Sequence, residues 1–414
     1  MKKFFIVLLA LALVAGNLFA EVTIGGSFVG LWRTSGSSEE DASINFSFGP
    51  NNGGIANAIR PRVNVTAVNE DGTFGGWVQL RPGKDGVTHN GDFLANGWWK
   101  PIEQVKFTYG YLWGGSGPIG VALASDDIFG IPFSGRNANY IPWGYEVLNG
   151  VHIELTPVEG LYAVVSIPLD NTGNLSYNGW NSPYYASNAT AGAILAHTMG
   201  RIAYTINGVG TARVTIAGGT GNMSGLDIPT MTASTDTTTI DIGFALTAVE
   251  NLTVDLGFEY KLAVEKIDGL SGNGYGADAG ATYQDPMSVG LRVNFSSGAF
   301  SVAGGVAGGF GGKVTPDIGD AYDKPFTLGV TVNPAFDAGF ATIGIVGDIN
   351  YVAESKYSGI TITESALDWK VIPYLTKNAG GASLSLGFEL GVTAVKDKDD
   401  PITWAIPIGF EYYF

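Results

Sequence analysis

The chain has 414 residues and a mass of 43.3 kDa, with 61 Gly and no Cys. Only 14% of residues are charged against 45% hydrophobic, and 22 basic against 38 acidic side chains leave a formal net charge of −16. This is too little charge for an ordinary soluble surface, too much apolar and aromatic content for disorder and the wrong sign for nucleic-acid binding, while the lack of Cys excludes disulfide scaffolds, thiolate metal sites and cysteine nucleophiles.

Residues 1–20 read as a cleaved signal peptide. Met1-Lys2-Lys3 is basic, Phe4 to Val14 is apolar, and Ala15-Gly16-Asn17-Leu18-Phe19-Ala20 offers small residues for cleavage. No Cys follows that could take a lipid. Residues 21–414 read as one domain, with no apolar run long enough for a spanning helix. Their pattern has period two. It appears at 62–67 (RVNVTA), 240–246 (IDIGFAL) and 287–295 (MSVGLRVNF), and again at 382–392 (ASLSLGFELGV). In 251–262 (NLTVDLGFEYKL), Leu252, Val254, Leu256, Phe258, Tyr260 and Leu262 share a face opposite Asp255, Glu259 and Lys261. The last segment, 402–414 (ITWAIPIGFEYYF), alternates in the same way. No segment of that length carries a helical stripe, so the fold class is all-β.

Four tight turns look like a degenerate repeat: WWKPIEQVKF (98–107), IELTPVEGLYAV (153–164), FALTAVENLTVDL (244–256) and VTVNPAFDAGFATI (330–343). Between hairpins lie longer polar or Gly-rich segments, read as loops, at 34–57, 83–91, 114–146, 170–196, 220–236, 265–284, 310–323, 354–365 and 396–400. Turns on one side and loops on the other give about 18 strands, with 16 as the alternative. In a soluble sandwich the second face would be rich in Lys and Glu. Here it is mostly Gly, Ser, Thr and Asn, which fits a closed antiparallel transmembrane barrel with apolar residues outward.

With its leader, alternating strands, unequal connections and terminal Tyr412-Tyr413-Phe414, the chain resembles bacterial outer-membrane porins. The turns around WKP and LTPxE look most like porins of the spirochaete (treponemal) type. The resemblance implies a bacterial outer-membrane location, a water-filled channel for small hydrophilic solutes and ions, and Tyr412 and Phe414 as an assembly signal. It implies outer-membrane lipid and the barrel assembly machinery as partners, and it leaves a homotrimer open. A surface protein with an adhesive or structural role, anchored by the barrel, is the alternative.

Placing the polar strand faces inward gives the pore lining. Arg62, Arg81, Lys106, Arg201 and Arg213 stand against Glu154 in the first half. Asp241, Asp255, Glu259, Asp348, Asp368, Glu389 and Glu411 stand against Lys261, Arg292 and Lys370 in the second. A basic wall would then face an acidic one, and the acidic balance would make the channel mildly cation-selective. The loop 114–146 holds Asp126 and Asp127 beside the apolar stretch Ile128–Phe133, which suits a constriction folded into the lumen. His152 beside Glu154 reads as a wet lumen pair, and Trp98-Trp99 as part of an interfacial aromatic girdle. The Gly-rich run 304–312 precedes no helix and is no dinucleotide fingerprint. No catalytic, cofactor or metal site is expected, and the chain is not read as an enzyme.

Overall fold

The computed structural model describes residues 21–38, 62–80, 93–111, 149–168, 198–217, 239–261, 282–284, 287–310, 313–315, 322–323, 326–357, 360–395 and 400–414. These residues form strands and turns only. The first strands are β1 (Glu21–Ser37), β2 (Arg62–Val68), β3 (Phe74–Leu80), β4 (Phe93–Ile102), β5 (Val105–Tyr111), β6 (Asn149–Leu155), β7 (Leu161–Pro168) and β8 (Met199–Ile206). Next come β9 (Gly210–Ala217), β10 (Thr239–Leu246), β11 (Leu252–Lys261), β12 (Thr282–Gln284), β13 (Met287–Ser297), β14 (Phe300–Phe310), β15 (Lys313–Thr315) and β16 (Tyr322–Asp323). The chain ends with β17 (Phe326–Asp337), β18 (Thr342–Val352), β19 (Ser355–Tyr357), β20 (Ile360–Thr363), β21 (Ala366–Ala379), β22 (Ala382–Gly387), β23 (Glu389–Val395) and β24 (Ile402–Tyr413).

One sheet takes 19 of these strands, each antiparallel to its neighbours in sequence order. β1 closes it, pairing with β2 through Glu21 to Ser27 and with β24 through Ser27 to Ser37. The sheet is therefore a barrel with no free edge to manage. β22 and β23 both lie between β21 and β24 and keep one register: Tyr374 faces Gly387 and Val371 faces Leu390, as Leu386 faces Ile408 and Glu389 faces Ala405. They are a single strand interrupted at Phe388, opposite Pro373. Proline has no N–H to give, so the pair keeps only the Phe388 N–H donated to the Pro373 carbonyl at 3.0 Å. Counted once, this strand brings the barrel to the 18 positions expected from the sequence.

All four predicted turns fall between strands. Two are the same structure. Leu161 N–H donates to the Val158 carbonyl and Leu252 N–H to the Val249 carbonyl, both at 3.1 Å. The third residue of each is left-handed, Gly160 at φ 79 and Asn251 at φ 63. Asn tolerates that conformation better than other side chains, which is why TPVEG and TAVEN can build one turn. Each turn is also tied to the next hairpin. Thr156 N–H donates to Gln104 O at 2.9 Å, Thr205 to Gly160 at 2.8 Å, Thr247 to Val209 at 2.9 Å and Ser296 to Asn251 at 2.9 Å. Glu21 and Phe414 lie on this same rim.

Three expected loops contain strand. β12 and β15 pair within 265–284 and 310–323, and β15 pairs with β16. β19 and β20 form a hairpin within 354–365. Runs such as Ile360-Thr361-Ile362-Thr363 are β-branched and alternating, but too short to stand out beside their polar flanks. β1 likewise extends to Ser37, past the expected loop start at residue 34. The predicted signal peptide lies outside the described residues.

The two faces of the sheet invert the usual order. Ile202, Tyr204, Val214, Ile216, Ile242, Leu256, Ile343, Ile345, Leu384 and Leu386 are exposed on the outer face. Arg201, Arg213, Thr215, Asp241, Asp348 and Glu389 are buried on the inner one. Soluble proteins bury the first kind of residue and expose the second.

Candidate functional site

The inner face carries two charged, hydrogen-bonded patches. The first spans β5 to β10. Register places Lys106 beside Glu154, Glu154 beside Val164, Val164 beside Arg201, Arg201 beside Thr215 and Thr215 beside Asp241. Lys106 Nζ meets Glu154 Oε2 at 2.9 Å, and the Tyr162 hydroxyl donates to Glu154 Oε1 at 2.9 Å. Arg213 Nη2 meets Asp241 Oδ2 at 2.8 Å with both side chains fully buried. Arg201 Nε donates to Thr215 Oγ1 at 3.0 Å.

The second patch spans β17 to β23. The Thr331 hydroxyl donates to Asp348 Oδ1 at 2.6 Å, and Asn350 Nδ2 donates to Asp348 Oδ2 at 2.8 Å. Lys370, the register partner of Asp348, reaches Glu389 Oε1 at 3.4 Å. Asp255 and Arg292 face each other across β11 and β13.

These contacts pair charges between neighbouring strands and not across the barrel. Arg213 and Asp241, assigned to opposing halves, are on adjacent strands and paired. Lys106, Arg213 and Lys370 are each paired with a near neighbour, Glu154, Asp241 and Glu389, as a charge buried on a strand face needs a partner within side-chain reach. His152 is likewise not a wet partner of Glu154. It is fully buried, with Nδ1 at 2.9 Å from Ser166 Oγ and Nε2 at 3.3 Å from the Gly110 carbonyl. The Trp98-Trp99 pair divides, since successive strand residues face opposite ways. Trp99 stacks outward with Phe74 at 6.1 Å and Phe107 at 5.8 Å, lining an apolar groove of about 430 Å³ with Tyr109 and Val151. Trp98 turns inward, with Lys100 and Lys106 over its ring at 5.3 and 5.9 Å.

Arg62 lies in β2 and Glu259 and Lys261 in β11, by backbone position. Arg81, Asp126 and Asp127, with the proposed constriction loop, lie outside the described residues. Glu411 follows the inner parity of β24 and accepts a hydrogen bond from the Tyr413 hydroxyl at 3.4 Å. Tyr412 and Phe414 are exposed and stacked at 5.8 Å. Reading charges alone missed the neutral partners: Tyr162, Ser166, Thr215, Thr331 and Asn350. Their signal was parity, since each shares a face with the charge it serves.

No family model and no curated protein matches this chain. Solved structures similar to it include a loop L8 deletion mutant of OmpT, an outer membrane protein of Vibrio cholerae, at 11% identity and TM-score 0.48, over 95% of this chain and 99% of that one. Pseudomonas aeruginosa OccK3 (OpdO) aligns at 11% identity and TM-score 0.49 over 96% and 97% of the two chains. An anion-selective porin from Comamonas acidovorans aligns at 12% identity and TM-score 0.44 over 95% and 99%. Identities this low and superpositions this loose transfer no function.

Proposed function

We propose that this chain is an outer-membrane porin, a channel for passive diffusion of small hydrophilic solutes and ions. The observation that carries the reading is the inverted barrel: 18 strand positions closed on themselves, large apolar side chains exposed outside, charged and polar ones buried inside. An apolar outer belt is stable only in lipid, where a closed barrel satisfies every backbone group. Barrels of 16–18 strands are wide enough to leave an aqueous channel. Turns on one rim and long connections on the other match the periplasmic and external ends of such barrels.

Within this reading Lys106, Arg201, Arg213, Asp241, Asp255, Asp348, Asp368 and Glu389 belong to the pore wall, and the acidic chain makes the channel mildly cation-selective. Tyr412 and Phe414 address it to the barrel assembly machinery, and a homotrimer is the assembly to test. A spirochaete-type origin is supported by the turn motifs alone. Refolded protein added to a planar bilayer should give discrete conductance steps in KCl; a protein that inserts without conducting would leave only the anchored surface protein.

A further inference from the structure

Three buried side-chain oxygens without a hydrogen-bond partner lie together on the inner wall: Thr327 Oγ1, Asn350 Oδ1 and Asp368 Oδ1. Thr327 is the second residue of β17, Asn350 lies two residues from the end of β18, and Asp368 is the third residue of β21. All three therefore sit at the long-connection end of adjacent strands. Asn350 is the register partner of both Asp368 and Gly329, and Thr327 is two residues from Gly329 on the same face. Directly opposed side chains start about 5 Å apart at Cβ, and diagonal ones about 7 Å.

The Asn350 amide has a fixed sense. Its Nδ2 donates to Asp348 Oδ2 at 2.8 Å, and only the NH₂ end can donate to a carboxylate. Asp348 lies toward the turn rim, so Oδ1 is turned toward the end where Thr327 and Asp368 stand. Asn350 is 4% and Thr327 8% exposed, and Asp368 is half-buried as a residue with its Oδ1 itself buried. Asn350 and Asp368 are directly opposed, while Thr327 is diagonal to Asn350 and two strands from Asp368. Buried acceptors are normally satisfied, so the opposed pair of orphan oxygens points to a missing positive partner.

We infer that Asn350 and Asp368 form a binding site for a hard divalent cation, with the Thr327 hydroxyl reaching that cation through a retained water. Hydroxyl, amide and carboxylate oxygens are the ligands of Ca²⁺, or of Mg²⁺ with more water retained. Among the described residues no three His, Cys, Asp or Glu side chains converge, so the wall does not offer an imidazole or thiolate centre for a softer metal. A bound cation would tie β17, β18 and β21 together at the rim where the connections begin.

The test uses full-length protein refolded in detergent after chelator treatment. Its unfolding temperature is followed while CaCl₂ or MgCl₂ is added at constant ionic strength, with NaCl as the control arm. The expected result is a saturable rise with one of the divalent ions, half-complete at about 0.1–1 mM as in extracellular calcium modules. Asp368→Asn should weaken that dependence at least several-fold, and the isosteric Thr327→Val should weaken it without disturbing the fold. No rise in the wild-type protein would overturn the proposal and leave the three oxygens to buried water. An equal rise with NaCl, or an unchanged one in both variants, would overturn it as well. The readout is folding, so the result stands apart from whether the protein conducts.

Discussion

The inner ion pairs differ in burial, and so in what their loss should cost. Arg213 and Asp241 are fully buried at 2.8 Å, while Lys106 and Glu154 retain 30% and 12% side-chain exposure at 2.9 Å. Removing one partner of a fully buried pair leaves a desolvated charge against a surface built for its opposite, typically about 3–5 kcal/mol. A partly solvated pair is worth roughly 1 kcal/mol or less. Asp241→Asn should therefore destabilise the refolded protein several-fold more than Glu154→Gln, as read from urea unfolding midpoints; equal shifts would mean the inner wall is evenly solvated. Steric reasoning applies at Gly344, where an added Cβ would lie 2.4 Å from the ring of Tyr374. That ring is buried and anchored by its hydroxyl donating to Asn333 Oδ1 at 3.0 Å, so it has little room to withdraw. Gly344→Ala should cost about 1–3 kcal/mol, and Tyr374→Leu in the same chain should recover part of it. Strict additivity of the two changes would show that the ring and the glycine do not meet.

At the scale of the element, the repeated turn gives a sharper expectation. Gly160 and Asn251 occupy the same left-handed position of equivalent turns. Asn251→Gly should be neutral or slightly stabilising, while Asn251→Val should cost about 1–2 kcal/mol, since a β-branched residue resists that conformation. Equal stability of the two variants in thermal unfolding would refute the turn assignment. Gly160 admits no such freedom, because a Cβ there would lie 2.4 Å from the Thr205 carbonyl oxygen that neighbours the stitched rim. The turns were legible in the sequence because their chemistry is local: Pro or a small residue, an apolar residue, then an acid or Asn. The alternating strands were legible for the same reason, each carrying its own face pattern. The pairing of inner charges was not. Whether Arg213 meets Asp241 depends on register between strands separated by residues 218–238, and alternation fixes only the face, not the neighbour. His152 shows this too: its sequence neighbour Glu154 was visible, but its partner Ser166 is set by the register of β6 on β7.

For the whole molecule, charge and closure carry the remaining expectations. Three inner ion pairs, Lys106–Glu154, Arg213–Asp241 and Lys370–Glu389, take up part of the wall charge, and selectivity should follow the acidic excess of the chain. The reversal potential in a KCl gradient should favour K⁺ mildly and less so as salt shortens the Debye length; Cl⁻ preference would contradict it. Closure rests on β1, whose first part pairs with β2 and whose remainder pairs with β24 from Ser27–Tyr413 to Ser37–Thr403. Phe414 adds two bonds at the end of that seam, its carbonyl accepting from Gly26 at 2.8 Å and its N–H donating to Gly26 O at 3.1 Å. Removing Phe414 deletes those two bonds and the exposed ring stacked on Tyr412, but leaves the long register of β1 with β24 intact. Refolding in detergent should then be nearly unchanged. On the proposed reading of Phe414 as an assembly signal, insertion in cells should fall, because such a signal acts before the seam is closed. Comparing heat-modifiable protein in outer membranes with the yield of detergent refolding separates the two roles. An equal loss in both settings would make Phe414 a structural clasp, and unchanged amounts in cells would remove it as an assembly signal.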